Sequence, residues 1–389
     1  MTIALFTAGF VIFGNTYLQT HNVSLTLIKD QIQGFVAGTL LGQKINDAVV
    51  GVPIQVEGVS YDRYAYGQLD DETQAVYDQL YDCIVNYKEK ATLSTLDQEV
   101  LSQAYDAIMA DYGNLFWVSG YKYNTYMRGE KVISLEVEPS YTMTEEERDD
   151  YQEIIDETVD DWLSDIYYDD SDYDKALYVF ETLINNVDYD VSADHNQDII
   201  SVFVNNATVC QGYADAAWYL LDQLGIKSTI VTGQANNDNH AWNLVYLDGA
   251  YYYMDVTWGN GSYLGLDDSR ESRINHAYFA MTTEQLLKNH TITMDIELPQ
   301  CLSTADNYYV KNGLYFDYLD TAAVGKILAN SMNRGDSQIS IMFSDAEIYS
   351  QVFEYFFEEK HIKDYCPALG TIYYILDDQA NVITVHWQE

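Results

Sequence analysis

Cys210 opens the segment Cys210-Gln211-Gly212-Tyr213-Ala214, which reads as the first turn of a helix running to Gly225. Ala214, Ala217, Leu221 and Leu224 supply its apolar stripe, and Gly225 is a natural C′ stop. A cysteine at a helix N-terminus lies at the positive end of the helix dipole, which favours thiolate. Taken alone, such a cysteine is more often a small buried hydrophobe. It becomes a nucleophile only with a base beside it and a group that orients the base.

Two such groups follow. Asn239-His240-Ala241-Trp242-Asn243 starts a strand-like run to Leu247, and Ala250-Tyr-Tyr-Tyr-Met-Asp255 is a second one. Asp248-Gly249 between them is a strong hairpin signal. A two-residue turn makes Leu247 face Ala250, which carries His240 opposite Thr257 and Asp255 opposite Trp242. His240 and Asp255 are then diagonal neighbours on one face, roughly 7–8 Å apart at the backbone. That separation permits an Asp255–His240 hydrogen bond, which would fix the imidazole tautomer.

A thiol with a pKa of about 8.5 is mostly protonated at neutral pH. A neighbouring imidazole takes the proton, and a carboxylate orients and stabilises the resulting imidazolium. The thiolate attacks an amide carbonyl, the amine leaves with the proton, and a thioester remains for water or a second amine to resolve.

Cys210-Gln-Gly-Tyr-Ala, His240-Ala-Trp-Asn and Asp255-Val-Thr-Trp, in that order and spacing, resemble the bacterial transglutaminase-like superfamily, a relative of papain-like cysteine enzymes. The resemblance spans roughly residues 170 to 285, with Tyr278-Phe279 after the third motif. It implies Cys210 as nucleophile, His240 as base and Asp255 as orienting acid. Leu115-Phe-Trp-Val and Asn307-Tyr-Tyr-Val are similar to the flanks of secreted Gram-positive members. For the oxyanion, the backbone N–H of Cys210 is one candidate donor, and Asn205, Asn206 and Gln211 are side-chain candidates. Trp242 and Trp258 either wall a cleft or pack the core. His195, His276 and His290 have no paired motif and read as structural.

The remaining elements must hold these residues in place. Val76, Leu80, Ile84 and Tyr87 recur at helical spacing, and Ser94-Thr-Leu-Asp97 reads as a cap before a helix through Ile108. Phe116 to Val137 reads as a hairpin turning at Gly129 and closed by Pro139. Thr144-Glu-Glu-Glu147 is a capping box for a helix to about Ile166. The acidic stretch Asp160 to Asp174 lacks the glycine and terminal glutamate of an EF-hand, so it reads as a solvated helix face and linker. Ala176, Val179, Phe180, Leu183 and Ile184 mark one more helix. Beyond Pro299 a hairpin is predicted at Tyr308–Phe316 around Asn312-Gly313. Helices near 320–332 and 345–361, a strand at Ile339–Phe343 and final strands at Thr371–Leu376 and Val382–Trp387 follow.

The expected organisation is an apolar leader, anchor or buried element over 1–45 and a helical region with a hairpin over 46–140. A transglutaminase-like core at 141–298 and a small α+β domain at 299–389 complete it. The fold class is α+β: a transglutaminase-like (papain-like) core whose nucleophile-bearing helix packs on an antiparallel sheet.

The chain has 389 residues, with 19 basic and 61 acidic ones and a net charge of −42. That charge repels nucleic acid and anionic lipid and would attract basic peptides or polyamines at low salt, but it reads first as a surface that keeps the protein soluble. The 36 tyrosines suit surface contact with peptides or glycans as well as a compositional habit. Four cysteines, Cys83, Cys210, Cys301 and Cys366, make neither a disulfide framework nor a zinc spacing, although a Cys301–Cys366 bridge is conceivable. The apolar N-terminal run ending near Gly14-Asn15 lacks a basic start and is too short to span a bilayer. It reads as an incomplete export signal or anchor, which places the protein outside the cell or on its surface. The expectation is a cysteine acyltransferase or peptidase acting on protein or peptide amides, with cell-wall association one reading of its partners, without cofactor or metal. The rival is a non-catalytic surface or cell-wall binding protein that keeps the core.

Overall fold

The computed structural model describes residues 62–167, 169–261, 274–367, 370 and 372–387, together with the backbone of four two-residue strands before residue 50. Apart from Leu5–Phe6 and Val11–Ile12, the apolar N-terminal run lies outside the described residues, as does the Gly34–Gly42 stretch. Among the described residues, no helix is long and apolar enough to cross a membrane. The chain divides into two compact units, Met1–Asp161 with Asp295–Glu297, and Trp162–Met294 with Leu298–Glu389.

In the first unit, α1 (Asp71–Val85) starts where the Asp70 carboxylate accepts from Thr73 N–H, and Val76, Leu80 and Ile84 are buried as their spacing requires. Asp97 caps α2 (Gln98–Asp111) by accepting from Glu99 N–H, while the Thr95 hydroxyl accepts from Asp97 N–H. Strands β1 (Val118–Arg128) and β2 (Lys131–Tyr141) form the hairpin, with Gly129 at φ 65° in its turn. Pro139 does not close this hairpin. It lies inside β2 opposite Tyr121, beside a register shift between Val118 and Tyr121, where a missing N–H is tolerated. Thr144 and Glu147 complete the expected reciprocal cap of α3 (Glu145–Trp162). That helix stops before Ile166, because Asp160, Asp161 and Asp165 gather at the negative end of its dipole.

The second unit opens with α4 (Asp172–Asn186), capped by Ser171, whose residues Ala176, Val179, Phe180, Leu183 and Ile184 are all fully buried. After α5 (Ile199–Phe203) comes α6 (Cys210–Gln223), which starts at the cysteine as the sequence predicts. An antiparallel sheet follows, built from β3 (Ser228–Ala235), β4 (Asp238–Leu247), β5 (Ala250–Met254) and β6 (His290–Ile292) in the order β5-β4-β3-β6. Leu247 pairs with Ala250 across Asp248 and Gly249, both at positive φ, so the predicted turn and register hold. The ladder, however, ends at Asn243–Met254. Asp255 leaves the sheet, donates its N–H to Tyr278 O and caps the short helix α7 (Val256–Gly259).

The Asn243 amide ties α6 to this sheet by donating to Ala214 O at 2.9 Å. Against the segment before the helix, Gly212 lies so close that a Cβ there would meet Thr208 Oγ1 at 2.0 Å. The core is thus α+β, with the cysteine helix against an antiparallel sheet.

Beyond Pro299 the expected hairpin at Tyr308–Phe316 is absent. The Asn307 carboxamide accepts from Tyr309 and Val310 N–H and starts a helical turn, α8 (Tyr308–Lys311), that consumes the first half of the apolar run. The second half, β7 (Tyr315–Phe316), pairs in parallel with β8 (Gln338–Phe343). α9 (Thr321–Arg334) ends at Gly335 in the left-handed region, and α10 (Ala346–Phe353) runs on into one π-helical turn, Glu354–Glu358. β9 (Ile372–Asp377) and β10 (Val382–Trp387) complete a sheet ordered β7-β8-β10-β9 around Phe316, Leu328, Phe343 and Phe356. Cys301 and Cys366 are both buried free thiols, so the conceivable bridge between them is not formed. Many tyrosines are core residues, among them Tyr77, Tyr105, Tyr213, Tyr252, Tyr253 and Tyr309.

Candidate active site

Cys210 is the first residue of α6 and is half-buried. Its preceding residue, Val209, offers no side-chain cap, so the first N–H groups of the helix have neither an intrahelical acceptor nor a side-chain one at the cap. The Cys210 side chain hydrogen bonds the His240 ring. The Nε2 atom of that ring lies 2.7 Å from Asp255 Oδ2.

Asp255 is fully buried, and its geometry comes from its place as a cap. Trp258 N–H donates to Oδ1 at 3.0 Å, which turns Oδ2 toward the imidazole. Burial alone would push this carboxyl up, but the facing His240 and the hydrogen bonds from His240 and His290 hold it below the usual carboxylate range. For His240, burial opposes the charged ring, while the Asp255 carboxylate and the bond to Cys210 outweigh it and raise the ring above its ordinary value. An ionised carboxylate only accepts hydrogen bonds, so His240 Nε2 carries the hydrogen and donates it. Cys210, His240 and Asp255 thus lie in one connected line.

The other candidates divide. Trp242 and Trp258 are buried and enclose the imidazole: Trp242 stacks on His240 at 5.7 Å between ring centres and Trp258 meets it edge-on at 6.4 Å. Gln211 donates its amide to Asp215 Oδ1 at 2.8 Å. Burial pushes that Asp215 carboxyl well above its usual range, and the nearby Asp198 and Cys210 add to the effect. Asn205 and Asn206 are exposed in the turn after α5, where Asn205 donates to Asp194 O and Asn206 adopts a positive φ.

His195 lies 3.4 Å from Asp198, and His276 meets Glu181 at 2.8 Å and stacks on Tyr308. His290 differs from both. Its side chain is completely buried, and Nε2 lies 3.0 Å from Asp255 Oδ2, the same oxygen that His240 uses. The sequence signal for it was slight: a β-branched run, Thr291-Ile292-Thr293, after the histidine marks a strand, but nothing local says which strand it pairs with.

His240, Asp255 and His290 are donor types that hold zinc. Their contacts are of hydrogen-bond length, with both imidazoles aimed at one oxygen. A tetrahedral ion would hold its donors about 3.3 Å apart, each aimed at a common centre. The cluster is a hydrogen-bond network in which both imidazoles meet one carboxylate oxygen.

Residues 162–256 match the model of the Transglutaminase-like superfamily. The match begins where the second compact unit begins, at Trp162, and ends just past Asp255. Kyphoscoliosis peptidase of Homo sapiens is 24% identical over 153 residues, covering 35% of this chain and 23% of that protein. The chain thus spans about a quarter of the length of the curated relatives it matches. Among solved structures, one described as a TGase is 16% identical with a TM-score of 0.28, covering 42% of this chain and 49% of the other. A putative cysteine protease from Cytophaga hutchinsonii is 17% identical with a TM-score of 0.24, covering 36% and 58%. The chain carries a transglutaminase-like superfamily domain.

Proposed function

We propose that the protein is a cysteine acyl-transfer enzyme acting on amides of proteins or peptides, with Cys210 as nucleophile, His240 as general base and acid, and Asp255 as the group that orients it. The observation that carries this reading is the buried 2.7 Å contact of His240 Nε2 with Asp255 Oδ2, in a ring that also interacts with the Cys210 side chain. The match of residues 162–256 to the Transglutaminase-like superfamily, whose members are often cysteine peptidases or acyltransferases, supports it.

His240 Nδ1 takes the thiol proton, and Asp255 stabilises the imidazolium through Nε2–H. Cys210 Sγ attacks the amide carbon, and the developing oxyanion is received by N–H groups at the open end of α6. The tetrahedral adduct collapses, the C–N bond breaks, and the amine or ammonia leaves with the Nδ1 proton. A thioester remains on Sγ. Water, giving up a proton to Nδ1, releases an acid, whereas a lysine amine in its place yields a cross-link. Both routes return the proton to Sγ. The apolar residues near the N-terminus support action at the cell surface or outside the cell, which fractionation of the producing cells tests.

Turnover of glutamine-donor and peptide substrates is compared between the wild type and Cys210→Ala. Product formation that disappears in the variant supports the reading. A purified, folded wild type inert toward every substrate class favours the rival, a binding protein that retains the core.

A further inference from the structure

We propose that His290 is a positioning residue of this site: by sharing Asp255 Oδ2 with His240, it holds the carboxylate in place and sets the strength of the bond that orients the base. The inference rests on the triad reading above and adds a fourth side chain to it.

Three donors converge on one buried carboxylate. Trp258 N–H takes Oδ1 at 3.0 Å, His240 Nε2 takes Oδ2 at 2.7 Å, and His290 Nε2 takes the same Oδ2 at 3.0 Å. Because the ionised carboxylate can only accept, His290 Nε2 must carry a hydrogen. The two imidazoles approach from different strands, His240 from β4 and His290 from β6, with their ring centres 5.5 Å apart. A carboxylate gripped by the cap on one oxygen and from two strands on the other cannot rotate about its Cβ–Cγ bond without breaking a buried hydrogen bond.

His290 is itself fixed. Its Nδ1 meets the Asn289 side-chain oxygen, and the Asn289 amide reaches Tyr278 Oη at 3.2 Å and Gln379 Oε1 at 2.8 Å. Trp242 and Trp258 pack on its ring at 5.1 and 5.2 Å. Among the described residues, the titratable groups around the carboxylate are His240 from β4, His290 from β6, Tyr278 from the turn before Phe279, and Cys210 through His240.

The consequence has a definite sign. An oxygen that already accepts one hydrogen bond accepts a second more weakly, so His290 draws on the electron density that Asp255 offers to His240. Removing that donor strengthens the Asp255–His240 bond and makes the imidazolium harder to deprotonate. It also frees the carboxylate to rotate. The first effect moves the alkaline inflection of the thiolate–imidazolium pair upward, and the second lowers kcat while KM stays nearly constant.

The test compares wild type, His290→Leu, His290→Asn, His290→Gln and His240→Ala by the pH profile of iodoacetamide alkylation of Cys210, which needs no substrate, and by kcat and KM on the best substrate. Glutamine places an amide N–H where His290 Nε2 stands, whereas asparagine is too short and leucine has no donor. His290→Leu and His290→Asn are expected to raise the alkaline inflection by about half a unit or more and to lower kcat about 10–100-fold. His290→Gln restores both. If leucine fails to fold, asparagine against glutamine carries the comparison. Profiles and kcat of the asparagine variant indistinguishable from those of wild type, with His240→Ala still abolishing reactivity at low pH, overturn the role of His290 and leave the triad standing. Low-pH reactivity that survives in His240→Ala overturns the triad, and His290's role with it.

Discussion

Asp255 Oδ2 lies 2.7 Å from His240 Nε2, although Asp255 has already left the sheet that carries His240. The contact is set by the N-cap of α7: one oxygen is spent on Trp258 N–H, and the other can then only point at the imidazole. The cap and the proposed catalytic dyad are one structure, so a change at Asp255 reads out in both stability and chemistry.

Asp255→Asn keeps an oxygen for the cap, but it either turns an N–H toward His240 Nε2 or forces the other tautomer. The expected outcome is a kcat loss of about 10³–10⁴-fold with the fold retained. Asp255→Ala loses the cap as well, costing about 0.5–2 kcal/mol more. Steady-state rates with urea unfolding of both variants check this.

Stability should depend on pH in two opposite ways. His240 is raised in the folded state, so its contribution is whole below its unfolded value of about 6.5 and is lost as the pH climbs through the higher folded value. Asp255 is lowered, so its contribution is whole above its unfolded value of about 3.9 and is lost as the pH falls toward the lower folded value. Tm is expected to decline on both sides of that interval. Calorimetry of His240→Gln should show the alkaline decline flattened.

Gly212→Ala tests why the cysteine motif contains a glycine. In an open helix this change stabilises by about 0.5–1 kcal/mol. Here the new Cβ meets Thr208 Oγ1 at 2.0 Å, and that hydroxyl is itself held by Ser201 at 2.6 Å and Asn196 O at 3.1 Å. The contact wins, with a net destabilisation of about 1–3 kcal/mol and slower alkylation of Cys210.

Gln211 and the oxyanion are separable. An oxyanion donor costs about 10²–10³-fold in kcat when removed. The Gln211 amide is already bound to Asp215 Oδ1, so Gln211→Ala is expected to cost less than about 10-fold. A larger loss in kcat would assign the amide to the reaction.

Much of the site was legible because its parts are local. The helix at Cys210 has its stripe and stop within sixteen residues, and Asp248-Gly249 fixes the register of β4 and β5 by backbone conformation alone. The register argument nevertheless placed Asp255 opposite Trp242 in a ladder that ends one residue earlier, since a cap interaction overrides strand continuation. The contact of His290 with Asp255 was not legible because β6 joins β3 from more than fifty residues away, and a lone histidine before a short β-branched run carries no record of its partner. Tyr308–Phe316 failed as a hairpin for a local reason: the carboxamide of Asn307 captures two backbone N–H groups before a strand can form.

Thiol labelling tests the central claim most directly. Cys83, Cys301 and Cys366 are buried, and burial pushes the first two up to about 12 and about 11 and raises the third. Treatment of the native protein with iodoacetamide near pH 6, followed by peptide mass mapping, should modify Cys210 alone, and His240→Ala should abolish that modification. An inert Cys210 in the intact protein, or one labelled equally fast without His240, would contradict the assignment of Cys210 as an activated nucleophile.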